Sequence, residues 1–326
     1  MRTFLLIVGV LISQLGLRAQ GVATATLHHG EEIKTFYSAT AFRQALAEAQ
    51  PGDIINLSEG SFKGGIIEVP VCIKGIGIGN LDDSTSTRRA RTIISDQIIL
   101  NIPTDDAGKT LSMEGMECAT LSFNEIHSPI FSKMRFNRVD YSQGDSKMDN
   151  LTFVHCIIGE YLPVSDATCQ FFNCVLPGFL SSGTMLTLNN CIVFTKNYHR
   201  ITDESVTCNN CIIYTNNDVF SSNTMTNCVA IGGTEDTFRN RNAEEDRNNR
   251  LFPSDLKVFK DNTYYQLTDE AAKYLGSDGT QVGIYGSSLP FSVKTSYPQI
   301  KKFTVAPEST TDGKLKIEIE IDENNE

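Results

Sequence analysis

Lys196, Tyr198, His199 and Arg200 fall within five consecutive residues of this chain, and their types suit one chemistry. Opening a uronate by β-elimination needs a base and a cation that neutralises the sugar carboxylate. Lys196, His199 and Arg200 could act as base and counter-charge. Glu160 and Asp218 could ligate a cation, and Tyr161, Tyr198 and Asn216 could hold sugar. If the protein is a lyase, Ca2+ or an Arg could supply the counter-charge; otherwise no cofactor and no metal centre is expected. A second patch gathers Arg135, Arg138, Asp140 and His155, with Lys133 nearby. Each patch has a plainer reading. The first can be a solvated loop, and in the second Arg138 and His155 can simply end a ladder of asparagines.

Other chemistries leave no mark. The chain has no GxSxG, HExxH, phosphate loop or EF-hand loop. Cys208-Asn-Asn-Cys211 has CxxC spacing, but both cysteines fall on positions that a repeat assigns to the core.

That repeat is the element that must position everything else. Leu151–Ile158, Cys169–Leu176, Leu186–Val193, Val206–Ile213 and Asn223–Ala230 align, with Cys156, Cys174, Cys191, Cys211 and Cys228 in one column. Preceding them in the alignment is a column of His155, Asn173, Asn190, Asn210 and Asn227. Four and two residues before that column the side chains are mostly apolar, and Thr or Gln stands between them. This is the alternation of a strand with one buried face. The Asn column interrupts it, as suits a residue that tolerates left-handed backbone angles. A weaker copy reads as Met134–Tyr141, with Val139 in the cysteine position.

Coils of this length, with short strands and no helix, satisfy parallel pairing only by stacking. The stacked Asn side chains are expected to hydrogen-bond along their column. The fold class is therefore all-β: a right-handed, single-stranded parallel β-helix, the hand following the general rule for parallel crossovers. The Asn-Cys-Ile pattern resembles the pectate-lyase-like parallel β-helix superfamily, over roughly residues 50 to 235. Paired-Asp hydrolase signatures and the Trp-containing lyase motifs are missing, so the resemblance carries fold and not catalytic residues. It also implies that the amphipathic segment 38–50, with Ser38 as N-cap and Phe42, Ala45, Leu46 and Ala49 on one face, caps the first coil. Segment 276–291 resembles the closing segment of secreted bacterial β-helix proteins. Lys302–Val305 and Lys314–Ile321, around Thr311-Asp-Gly, read as a terminal β-hairpin tail.

The expected organisation is a signal peptide at 1–19, a capped β-helix at 20–235 and a closing segment with hairpin at 236–326. Phe4–Ile12 after Met-Arg, with Ala19 near the cut, fits secretory export, so the chain is expected in the periplasm, at the cell surface or outside the cell. Removing 1–19 takes Arg2 and Arg18 and no acid, so a net charge of −11 becomes −13. Such a surface disfavours nucleic acid, and no run is long enough for membrane insertion. Trp is absent, so a sugar-stacking platform must use Tyr or Phe. Nine cysteines is an odd number, which the repeat explains as small core side chains without disulfides.

One column resists simple solvation. Ile157, Val175, Ile192, Ile212 and Val229 alternate outward and would form an apolar stripe. It is either covered by the chain's own C-terminal segment or serves as a homo-oligomer or protein interface. Three functions follow: a polysaccharide-binding surface protein that uses one solenoid face, a lyase or glycoside hydrolase for an acidic glycan, and an adhesin or structural protein acting through the stripe.

Overall fold

In the computed structural model the described residues are 22–79, 90–103, 109–141, 147–161, 168–177, 185–194, 206–215, 224–234, 237–238, 248–260, 265–295, 299–305 and 317–322. They form a parallel β-solenoid, with one helix near its start and an antiparallel tail pair at its end. The proposed signal segment and the loop residues 196–200, 216 and 218 lie outside the described set.

Each coil contributes one strand to an 11-stranded sheet and one to a 12-stranded sheet. The bend between them is where the Asn column sits. His155, Asn173, Asn190, Asn210 and Asn227 have φ between 51° and 55°, the left-handed region that Asn tolerates best among non-glycine residues. Alternation then decides what lies inside. Ile73, Met113, Phe131, Phe153, Phe171, Leu188, Cys208 and Met225 pair in register through the first sheet and are all buried. Phe131, Phe153 and Phe171 stack with successive centroids 4.9 Å apart, close to the spacing of neighbouring strands.

The cysteine column has a second reason beyond size. After a left-handed bend the next N–H points inward and needs an acceptor. The N–H of Cys156 donates to Cys174 Sγ at 3.3 Å, and that of Cys191 to Cys211 Sγ at 3.4 Å. Past the last cysteine, Asn249 takes over, and its Oδ1 accepts the Cys228 N–H at 3.0 Å. A thiol is small enough for the core and polar enough to meet this donor. None of the nine cysteines forms a disulfide.

The weak copy shifts. Arg135 pairs with Ile157 and Phe136 with Ile158, so Met134, not Val139, occupies the cysteine position. Lys133 is the bend residue, with φ 52°, and its N–H donates to Val154 O at 2.9 Å. Arg138 is therefore not in the Asn column but on a strand beside Glu160. The coil has neither Asn nor Cys at its bend, so nothing marked its true register.

The N-terminal cap is larger than expected. Thr24–His29 and Glu32–Tyr37 form an antiparallel hairpin, and Thr24–His29 also pairs antiparallel with Ile54–Leu57. The helix spans Ala41–Glu48 with Thr40, not Ser38, at its N-cap. Ser38 instead ends the hairpin, with its carbonyl accepting the Ala41 N–H at 3.1 Å. Ala41, Phe42 and Ala45 are buried against the first coil. At the far end, Gln299–Val305 pairs with Ile317–Asp322 as the expected hairpin.

The outward apolar stripe is covered by the chain itself. Val175, Ile192, Ile212 and Val229 are at most 4 % exposed, in a second core with Phe252, Val258, Phe259, Leu267, Ala271, Val282, Ile284 and Phe291. Residues 252–260 and 265–291 thus lie as a strap over the second sheet. Gly283, at φ 81°, runs so close that a Cβ there would stand 2.7 Å from Ile212 Cδ1. The strap closes off Val175, Ile192, Ile212 and Val229, while Ile157 at the start of the stripe is partly buried. Outside the strap the column turns charged, with Glu117 and Arg135 before Ile157 and Arg250 after Val229.

Candidate functional site

The strap also changes what the Asn column does. Asn173 Nδ2 donates to Ile284 O and Gly286 O, each at 2.9 Å. Asn210 Oδ1 accepts from Ser277 N at 2.9 Å, and Asn210 O accepts from Gly283 N at 2.8 Å. These side chains hold the strap rather than one another. The amide ladder expected there occurs one position earlier, where Asn209 Nδ2 donates to Asn189 Oδ1 at 3.1 Å. His155 follows the same logic as its column. Its Nε2 is 3.1 Å from Leu289 O, and its ring meets Phe291 edge-on.

The two predicted patches fare differently. Lys196, Tyr198, His199, Arg200, Asn216 and Asp218 lie outside the described residues. Tyr161 ends the strand Ile157–Tyr161, in register with Val139. Glu160 turns toward the second patch, with Oε2 3.9 Å from Arg138 Nη1. In that patch Arg138 Nη2 is 3.0 Å from Asp140 Oδ2, and Arg135 Nη1 is 3.8 Å from Glu117 Oε1. Arg91 also reaches Glu117, at 3.4 Å. The structure brings Arg138 and Asp140 together with Glu160, sets Arg135 beside Glu117 and leaves His155 with the strap. Each of these arginines faces a carboxylate.

The buried cysteines of the repeat are shielded from any substrate. Cys174, Cys191 and Cys228 are pushed well above the usual thiol range by burial. Cys208 is raised by its hydrogen bond with Cys211 and by burial. Both members of the CxxC spacing are wholly buried. Aromatic side chains beside the strap are likewise engaged: Phe194 stacks on Tyr214 at 4.7 Å, and Tyr214 on Phe259 at 5.8 Å. Among the described residues no group of three or more His, Cys, Asp or Glu could hold a metal ion. A groove of about 760 Å³ runs beside the capping helix, lined by Leu46, Ile66, Ile99, Arg43 and Asp96. Arg43 is already bound to Gly64 O and Asp96.

The outer face of the first sheet differs from all of these. Two columns point away from the core in unbroken parallel register. One runs Ile130, Thr152, Gln170, Thr187, Thr207; the other runs Ser132, Val154, Phe172, Asn189, Asn209, Thr226. All are partly or fully exposed, Ile130 to 43 %. No residue of either run is charged, although the chain carries a net charge of −11. Thr supplies a donor and two acceptors on a stiff β-branched stem, and Asn and Gln supply both functions as amides. Phe172 adds an aromatic surface to the same plane. The alternation of Thr and Gln was visible in the repeat. Phe172 was missed, although its position just before the bend, two residues from Gln170, marks it as outward.

No protein-family model, curated protein or solved structure matches this chain. The parallel β-solenoid architecture alone does not carry an activity.

Proposed function

We propose that this is an exported, non-catalytic polysaccharide-binding protein whose contact surface is the outer face of the first sheet. One observation carries the reading: the chain covers its second sheet with its own strap, while the first presents an uncharged, in-register array of hydroxyls, amides and one aromatic ring. Glycans offer hydroxyls and apolar C–H faces, which such an array complements. Export rests on the apolar segment Phe4–Ile12 and the small residue Ala19.

The test is co-sedimentation with a panel of neutral and acidic polysaccharides. Covering the exposed part of Phe172 is worth about 1 kcal/mol, so Phe172→Ala should weaken binding about fivefold. Thr207→Val, which keeps shape and strand propensity, should weaken it too. Unchanged binding in both variants refutes the assignment of the face. Release of unsaturated sugar from a polyuronate with Ca2+ would instead establish the lyase alternative.

A further inference from the structure

We infer that the ligand of this face is a neutral glycan in ordered, many-chain form, such as the surface of an insoluble β-linked polysaccharide. The inference rests on the reading of the first sheet as a glycan platform. Its first support is charge. Between Ile130 and Thr226 the two outward columns hold hydroxyl, amide, aliphatic and aromatic side chains only. Charged residues on the same columns come earlier, at Lys74 and Glu114, which pair with each other in register. An acidic glycan would meet no cation on this strip and would approach a chain of net charge −11.

The second support is shape. Parallel partners on this sheet follow without a register shift from Ile54–Leu57 to Thr224–Thr226, whereas Thr92–Asn101 and Glu117–His127 of the second sheet carry breaks. The result is a lattice of side chains about 4.8 Å apart along the solenoid and about 6.7 Å apart across it. A lattice that repeats in two directions matches a ligand that does the same, as several glycan chains lying side by side do.

The third support is entropy. Each hydroxyl or amide contact is weak once exchange with water is counted. A free oligosaccharide loses its own freedom on binding, and these contacts do little to offset that loss. A glycan surface is already ordered. The protein side is ordered as well, since Thr is stiff at χ1 and Asn209 is tied to Asn189 at 3.1 Å. Many weak contacts then add up with little ordering cost.

The experiment measures binding of the full chain to insoluble neutral glycan, with soluble oligomers of the same sugar as competitors, at low and high salt. Tight binding to the solid, poor competition by soluble oligomers at equal sugar concentration, and little salt dependence support the inference. Thr187→Lys with Thr207→Lys should then lower affinity for the solid at least about tenfold. The isosteric Thr187→Val with Thr207→Val controls for folding and should give a smaller loss. Equal competition by soluble oligomers, or salt-sensitive preference for a polyuronate, overturns the inference while leaving the platform reading in place. Undiminished binding of the solid by both double variants overturns the platform itself.

Discussion

Replacing Ile192 with Asp separates a covered stripe from an interface. Ile192 has no exposed surface and packs in one cluster with Val175, Ile212, Val282 and Ile284. Truncating such a residue to alanine costs about 2–5 kcal/mol. An aspartate adds the desolvation of an unpaired carboxylate, worth several kcal/mol more in a site without a partner. The total cannot grow without limit, because the strap can lift away once the penalty exceeds its docking energy. Ile192→Asp should therefore release the strap: proteases cut within 265–291 of the variant and not of the parent. Urea unfolding should show a loss of at least about 2 kcal/mol. The exposed stripe should also raise the mass seen by light scattering. Burial raises the folded-state pKa of the new carboxyl above its ordinary value, so the penalty is smallest in acid and grows as pH rises through the carboxylate range. Parent-like urea and protease resistance, with a drop from oligomer to monomer, would refute the strap account and make the stripe an interface.

Three further outcomes follow from the bends and the buried rings. Asn249→Ala leaves the Cys228 N–H without its 3.0 Å acceptor and should destabilise the last coil by about 1–3 kcal/mol, read as faster amide exchange at Cys228. Among the thiols only Cys72 is not buried, so native protein should alkylate there at most, with all nine reacting after denaturation; rapid native labelling of Cys208 or Cys211 would contradict their place in the core. Tyr214 is pushed up to about 12 by burial, and Tyr265 is raised as well. Because the folded values exceed the unfolded one near 10, their contribution is present below pH 10 and lost as pH climbs toward 12, which ultraviolet titration against melting temperature will detect.

Much of the solenoid was legible because its constraints are local. A left-handed bend selects Asn, and alternation selects the inward residues, so five coils align by type alone. The coil before them hides its register because Lys133 and Met134 replace Asn and Cys. The hairpin at 24–37 left no clear signal, since Thr24–His29 is held in place by pairing with Ile54–Leu57, well over twenty residues away. Alternation also says which way a side chain points but not what lies above it. Ile192 and Thr187 both point outward in sequence; the strap buries one and leaves the other half-exposed. The site was read in the loops and the charged patch because those residues have conspicuous chemistry. The face proposed here consists of residues whose value comes from register, which exists only once the coils stack.

Hydroxyl-radical footprinting with and without an insoluble neutral glycan tests the central claim most directly. The account predicts protection at Ile130 and Phe172 on the open sheet, with Tyr274, Tyr285 and Phe291 of the strap side unchanged. Protection on the strap, or at Tyr198 and His199 with Phe172 unchanged, would contradict it.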